Sequence, residues 1–122
     1  MMKKSWFSFL MVFVLMGAFA SQVLAANEGT GNVVTGGSKV SSPIMGQHQY
    51  GELEAHLGSG NYNVNVTIQE YKSGSWVSMY TLVATPSNPT VKTHYYLEGG
   101  KQYRLLIETL SSGWGHLYNY IP

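Results

Sequence analysis

Amide and aromatic side chains alternate along residues 61–80, and they are the first group in the sequence whose types and spacing could do chemistry. On a β-strand, alternate side chains share one face. Sugars offer C–H faces that stack on Trp or Tyr rings, and vicinal hydroxyls that suit amides, which both donate and accept hydrogen bonds. The pattern therefore predicts a ligand-binding face, with a solvated sheet face as the alternative; its members would be Asn63, Asn65, Thr67, Gln69, Tyr71, Trp76 and Tyr80.

The turn at Ser73-Gly74 decides where two of these rings point. A two-residue loop places Trp76 and Tyr80 on the outer face, whereas a three-residue loop turns both into the core, because side chains alternate along a strand. Met79 favours the first register and Leu82 favours the second. Both registers stay open from the sequence.

A second aromatic group, which includes Trp114, lies in the C-terminal tail, where Leu117 and Ile121 alternate with His116, Tyr118 and Tyr120. The spacing predicts a last strand with its aromatic side chains on the outer side. Such rings are enriched at binding surfaces, so we expect them to contact a glycan or a partner protein. The alternative is that they cover a neighbouring strand.

Glu54 and His56 are two positions apart in an alternating run, which places both on one side of a strand. The pair could supply two ligands to a metal ion, with a third from His94 or His116. The alternative is a polar outer face whose histidines bind nothing. We expect no metal and no other cofactor, with Glu54 and His56 as the candidate ligands if a metal is bound.

Motifs of hydrolytic enzymes are absent from the sequence. It has no Gly-x-Ser-x-Gly elbow, no His-Glu-x-x-His and no Asp for a Ser-His-Asp triad. Glu70 lies in the inward phase of its strand, either because the strand ends at the next turn, the preferred reading, or because it is a buried acid with a raised pKa. We therefore expect a protein that is not an enzyme and has no catalytic residues.

The first 25 residues differ in composition from the rest of the chain. The 122 residues carry a formal charge of +1 and no cysteine. Residues 1–25 have the charged, apolar and small-residue order of a secretory signal peptide with cleavage after Ala25, and their apolar core is shorter than a membrane span. Without Lys3 and Lys4 the mature chain has 5 basic and 6 acidic residues, which argues against nucleic-acid binding. We expect no membrane span in the mature chain.

Turn residues recur through the mature chain and no run has a helical period. We interpret residues 26–45 as a flexible Gly/Ser/Asn-rich arm or an edge strand. Residues 46–122 are interpreted as one all-β domain, a small antiparallel β-sandwich of jelly-roll or Ig-like type with six to seven strands. Gly58-Ser59-Gly60 and Ser111-Ser112-Gly113 are among the breaks expected between strands.

Strand parity predicts two further hairpins. A turn at Ser59-Gly60 would set Leu53, Ala55 and Leu57 opposite Val66, Val64 and Tyr62 in the core. A three-residue loop at residues 98–100, with Gly100 in the left-handed conformation, would pair the strands before and after it. The strand at residues 102–110 is expected in the centre of the sheet. The segment 95–105 resembles a hairpin of secreted accessory β-sandwiches, including pre-peptidase C-terminal and jelly-roll binding modules, which usually rely on Asp residues that this chain lacks.

Together these features predict a secreted, non-catalytic binding module. Its expected partner is an extracellular glycan or cell-wall surface, and the alternative is a protein surface bound by exposed Tyr and Trp, as in an inhibitor, an antimicrobial factor or a matrix component. A small metal-binding protein or hydrolase is the third candidate. Export without cysteine favours a Gram-positive bacterium as the source. The oligomeric state is left open.

Overall fold

The computed structural model describes residues 26–122, so the signal peptide predicted for residues 1–25 lies outside the described part. Within that part every regular element is a strand, and no helix is long and apolar enough to cross a membrane. The strands are β1 (Gly29–Val40), β2 (Ile44–Met45), β3 (Gln49–Ser59), β4 (Val64–Lys72), β5 (Ser75–Ala84), β6 (Thr90–Leu97) and β7 (Gln102–Tyr118). All their pairings are antiparallel.

Strand β7 is the centre of a seven-stranded curled sheet. One of its edges pairs with β1 and the short β2. Its other edge pairs with β4 along residues 103–109 and with β3 along residues 112–118. Strand β5 extends the sheet beyond β4, and β6 extends it beyond β3. We call β5, β4 and residues 103–109 the β4 half, and β6, β3 and residues 112–118 the β3 half.

The break predicted at Ser111-Ser112-Gly113 is wrong, because β7 continues through it as one strand of 17 residues. Gly113 is needed at this position because β7 packs closely against His56 and Val64. A Cβ atom on Gly113 would lie 2.3 Å from the carbonyl oxygen of His56 and 2.6 Å from a methyl of Val64. Strand β1 shifts register between Thr35 and Gly37, where β7 passes from one half of the sheet to the other.

The inner faces of the two halves meet in the hydrophobic core. Val66 of the β4 half lies against Gly115 of the β3 half, where an added Cβ would be 2.7 Å from its nearest methyl carbon. Burial of these apolar side chains is the main favourable contribution to folding. The all-β, antiparallel class is confirmed, and the core consists of Val34, Ile44, Leu53, Ala55, Val64, Val66, Ile68, Ala84, Leu97, Tyr103, Leu105, Ile107 and Leu117.

Two of the predicted hairpins do not form. Strand β3 pairs with β6 and β7 instead of β4, and Tyr62, expected in the core, is 59% exposed. Strand β6 pairs with β3 and has no ladder with β7, although Gly100 has the expected positive φ of 80°. The central position of residues 102–110 is confirmed. Leu110, however, is 73% exposed, so its side of the strand is not covered there.

The hairpin of β4 and β5 combines both registers that the sequence left open. Its turn has two residues, Ser73 and Gly74, with φ of 49° and 87°, the signature of a type I′ turn. Trp76 is therefore opposite Tyr71. A bulge then places Tyr80 opposite Ile68, which belongs to the core. A bulge moves the following side chains to the other face of the sheet.

Residues 29–40, for which a loose arm or an edge strand was expected, form β1 at one edge of the sheet. The segment before it is held by Asn119, which is fully buried. The Asn119 amide donates to the carbonyls of Ala26 and Met45 at 2.9 and 2.8 Å, and its oxygen accepts from the Glu28 N–H at 2.8 Å. The assignment of residues 46–122 as a separate domain stays a prediction.

Candidate functional site

The predicted amide face is largely assembled on the outer side of the β4 half. In the ladder pairings, Asn65, Thr67 and Gln69 lie opposite Glu108, Leu106 and Arg104 of β7. Residues opposite each other across a strand pair project from the same face. Tyr71 and Trp76 continue this face beside the turn. Tyr80 does not belong to it, because the bulge in β5 turns the ring towards Tyr95, with centroids 5.6 Å apart.

Polar groups in the middle of this face bind one another. Thr67 and Thr81 hydroxyls are 2.8 Å apart, and Arg104 Nε donates to Gln69 Oε1 at 2.8 Å. The guanidinium carbon of Arg104 also lies 4.4 Å from the centre of the Trp76 ring. Thr67 and Gln69 are consequently buried. A stacking platform needs an open ring, so this arrangement argues for a stabilising role of Trp76.

Asn63 precedes β4 and lies apart from that cluster. It lines a hollow of about 700 Å³ at the bend of β7, together with Asn61, Tyr62, Asn65 and Leu110. We call this cavity the asparagine hollow. Asn63 and Asn65 line this open hollow, whereas Thr67 and Gln69 are buried. Sequence spacing alone placed all four on one continuous face.

The C-terminal rings lie on the outer side of the β3 half. Leu117 and Gly115 face the core, so the alternate side chains of Trp114, His116 and Tyr118 face outwards. Tyr118 contacts His116 and Tyr120 in edge-to-face geometry, with centroids 6.1 and 5.7 Å apart. We call Trp114, His116, Tyr118 and Tyr120 the ring row. Its first three members are on β7, where Trp114 and Tyr118 are roughly 13 Å apart at about 3.3 Å per residue, and Tyr120 lies in the bend that follows.

Two glycines of β1 make room beside the ring row. A Cβ on Gly31 would lie 2.3 Å from the His116 ring, and a Cβ on Gly29 would lie 2.8 Å from the Tyr118 ring. These rings therefore lie over the backbone of β1. Thr30 completes a depression of about 290 Å³ at this position. The ring row is half-buried, with one side of its members accessible to a ligand.

Charged and imidazole groups border the ring row on β3 and β6. Glu52 lies opposite Tyr118 on one side and His94 on the other, and Glu54 lies between His116 and Lys92. Lys92 Nζ is 3.8 and 3.9 Å from the carboxylates of Glu52 and Glu54. The Lys92 ammonium is the exposed polar group of this strip, whereas the side chains of Glu52 and Glu54 are only 12% and 13% exposed.

The candidate metal ligands do meet, since His56 Nε2 lies 2.9 Å from Glu54 Oε1. His56 also stacks on Trp114, with ring centroids 5.0 Å apart. Within residues 26–122, no group of three or more His, Cys, Asp or Glu side chains is arranged to hold a metal ion. In this part of the chain the pair Glu54–His56 orders the ring row.

Glu70 is a buried acid, at 5% exposure, and β4 ends two residues after it, at Lys72 beside the expected turn. Lys101 and Lys72 approach its carboxylate to 3.6 and 3.9 Å. Desolvation, more than the neighbouring charge of Glu70, raises the pKa of the Tyr103 hydroxyl to about 12. A hydrogen bond to Glu98 raises the pKa of Lys101. This cluster closes one end of the core.

Sequence reasoning missed three rings of the outer β3 face. Alternation places His116 on the outer side of the last strand, but the sequence suggested a binding role for it only as a metal ligand and none for Tyr50 or Tyr96. The two tyrosines face each other across β3 and β6, with centroids 5.5 Å apart and exposures of 57% and 43%. The signal available in the sequence was the alternation of Tyr50 with Glu52 and Glu54 on one strand face.

Fold and surface together define an all-β protein with one curled antiparallel sheet and an aromatic outer face on its β3 half. No protein-family profile matches the sequence, and no curated protein matches it either. Among solved structures, the crystal structure of the Yersinia pseudotuberculosis-derived mitogen is similar with a TM-score of 0.45 and 18% identity, over 80% of this chain and 87% of that chain. A likeness at this level carries no functional inference.

Proposed function

We propose that this chain is a secreted, non-catalytic binding module whose ring row takes a glycan chain. The observation that carries the proposal is the line of four rings, with Trp114, His116 and Tyr118 on the outer side of β7 and Tyr120 just beyond its end. Rings in a line suit successive C–H faces of sugar units. Secretion rests on the order of residues 1–25 in the sequence.

Polar groups beside the rings support the same ligand class. The exposed Lys92 ammonium can donate hydrogen bonds to sugar hydroxyls, and the partly exposed edges of the Glu52 and Glu54 carboxylates can accept them. Lys92 offsets part of the charge of the two carboxylates. The strip therefore suits an uncharged polyhydroxylated chain better than a polyanion.

We also interpret the curled sheet as a sandwich of jelly-roll type. The inner faces of the β4 half and the β3 half meet at Val66 and Gly115, and both halves share β7 and β1. In this interpretation the amide face and the ring row are on opposite sides of the domain. A ligand on the ring row would leave the amide face in solvent.

Tryptophan fluorescence tests the proposal. In a Trp6→Phe, Trp76→Phe background the full chain keeps Trp114 as its one tryptophan. We expect its emission to shift on titration with soluble fragments of chitin, cellulose or peptidoglycan. Tyr118→Ala should weaken binding about five- to tenfold, the equivalent of about 1 kcal/mol for one lost ring contact.

The matched control is Tyr71→Ala, which removes a tyrosine from the opposite side of the domain. It should leave the affinity unchanged. Binding to none of the three fragments would overturn the proposal. Loss of binding in Tyr71→Ala with retention in Tyr118→Ala would move the site to the amide face.

A protein partner is the second candidate, and the exposed pair of Tyr50 and Tyr96 favours it. Tyr96 lies on β6, an edge strand whose outer backbone groups can pair with an added strand. Retention of an extracellular protein that is lost in Tyr96→Ala and kept in His116→Ala would support this candidate. Loss in both variants would support binding on the ring row.

A further inference from the structure

The asparagine hollow lies on the outer side of the sheet, where β7 passes from the β4 half to the β3 half. Its volume is about 700 Å³, enough for a sugar unit or two. Its polar lining consists of Ser38 from β1, Asn61 and Asn63 from the β3–β4 loop, Asn65 from β4 and Glu108 from β7. Neither the ring row nor the amide cluster around Gln69 contributes to it.

Ladder register fixes the polar side of the hollow. Glu108 lies opposite Asn65 on one neighbouring strand and opposite Ser38 on the other. Directly opposite residues have Cβ atoms about 4.5–5.5 Å apart and project from the same face. Carboxylate, amide and hydroxyl groups thus form a row across three strands. Leu110 follows Glu108 on the same side of β7 and adds an apolar wall.

Among residues 26–122, no hydrogen bond to another protein group involves the side chains of Asn61, Asn63, Asn65 or Glu108, and Glu108 forms no ion pair. Asparagine is also unfavourable in strands such as β4. Their donors and acceptors remain available to a ligand.

Two exposed apolar groups accompany the polar row. Leu110 is 73% exposed and Tyr62 is 59% exposed. The Tyr62 backbone is held in place, since its N–H donates to Ser111 Oγ at 2.8 Å. An aromatic ring and an aliphatic side chain beside several amides match a sugar, which has both C–H faces and hydroxyls.

We infer that the asparagine hollow is a second glycan subsite, specific for sugar units without negative charge and favouring units that carry an ammonium group. The selectivity follows from Glu108, the one charged side chain among the lining residues, none of which is Lys, Arg or His. A carboxylate without a cationic neighbour repels uronic acids and attracts an amino sugar. The inference concerns a different site from the ring row and stands independently of it.

Calorimetric titration with three tetrasaccharides tests the inference on the full chain: a glucosamine tetramer, its N-acetylated form and a galacturonate tetramer. We expect the glucosamine tetramer to bind most tightly and the galacturonate tetramer not to bind. Glu108→Gln should lower the affinity for the glucosamine tetramer about tenfold, because it removes a charge-assisted contact. Asn65→Ala should lower the affinity for the first two tetramers by about fivefold.

Asn88→Ala is the matched control, since Asn88 is an exposed asparagine in the β5–β6 turn, outside the hollow. It should bind like the unaltered chain. Tyr118→Ala separates this inference from the proposed function, because it should impair the ring row and leave the hollow intact. Equal binding of galacturonate, or unchanged affinity in a folded Glu108→Gln variant, would overturn the inference. So would binding that Tyr118→Ala abolishes and Asn65→Ala leaves intact.

Discussion

His56 and Trp114 form a parallel ring stack across β3 and β7, with centroids 5.0 Å apart and planes inclined by 12°. His56 is in turn fixed by Glu54, whose carboxylate lies 2.9 Å from Nε2. One face of the indole is thereby covered at the end of the ring row. A ring held in this way loses little conformational entropy when a ligand binds.

We expect His56→Ala to destabilise the fold by about 1 kcal/mol, since it removes the stacking contact. The emission of Trp114 should move to longer wavelength in the single-tryptophan background, because the indole gains water contact. Denaturant unfolding followed by fluorescence measures both effects. Thr90→Ala, at the neighbouring position opposite His56 on β6, is the control. An unchanged emission maximum would contradict the observed stack.

Asn119→Ala should be among the most destabilising polar substitutions in the described part of the chain. It leaves the buried carbonyls of Ala26 and Met45 without their amide donor and the Glu28 N–H without its acceptor. We expect a loss of about 3 kcal/mol. Limited proteolysis should then cut residues 26–45 first. Equal protease resistance in the variant and the unaltered chain would refute this role for Asn119.

Gly115→Ala should be severely destabilising, because its Cβ would lie 2.7 and 2.8 Å from the two methyls of Val66. Overpacking of this kind typically costs about 1–3 kcal/mol. Val66→Ala removes both methyls, so the double variant should lose less stability than the sum of the two single variants. A double-mutant cycle from urea unfolding measures the coupling. Strict additivity would show that the two halves of the sheet do not meet at this position.

Alkaline pH should unfold the protein partly through Tyr103. Its folded pKa is raised to about 12 from 10.0, so the unfolded chain releases this proton first as pH rises. The contribution of Tyr103 to the free energy of unfolding is complete below pH 10 and is lost between about pH 10 and 12. In Tyr103→Phe, the decrease in unfolding free energy from pH 9 to pH 11 should be smaller than in the unaltered chain. An identical decrease in both proteins would contradict the raised pKa.

Local sequence patterns predicted the strands well, because the period of two and the turn residues act over a few positions. The alternating residues from Asn65 to Tyr71 lie in β4, and the turn at Ser73-Gly74 has the short loop of one predicted register. The outer positions of Trp114 and Tyr118 also follow from alternation. These features depend on side-chain direction within one strand.

Only the tertiary structure decided which strands are neighbours and which polar side chains are free to bind a ligand. The Ser111-Ser112-Gly113 segment looks like a turn in the sequence, yet Gly113 is needed where β7 approaches His56 and Val64. Strand pairing depends on contacts far apart in the chain, which a local pattern does not encode. The same contacts bury Gln69 under Arg104 and leave Asn65 beside an open hollow, so two amides of one predicted face differ in their capacity to bind a ligand.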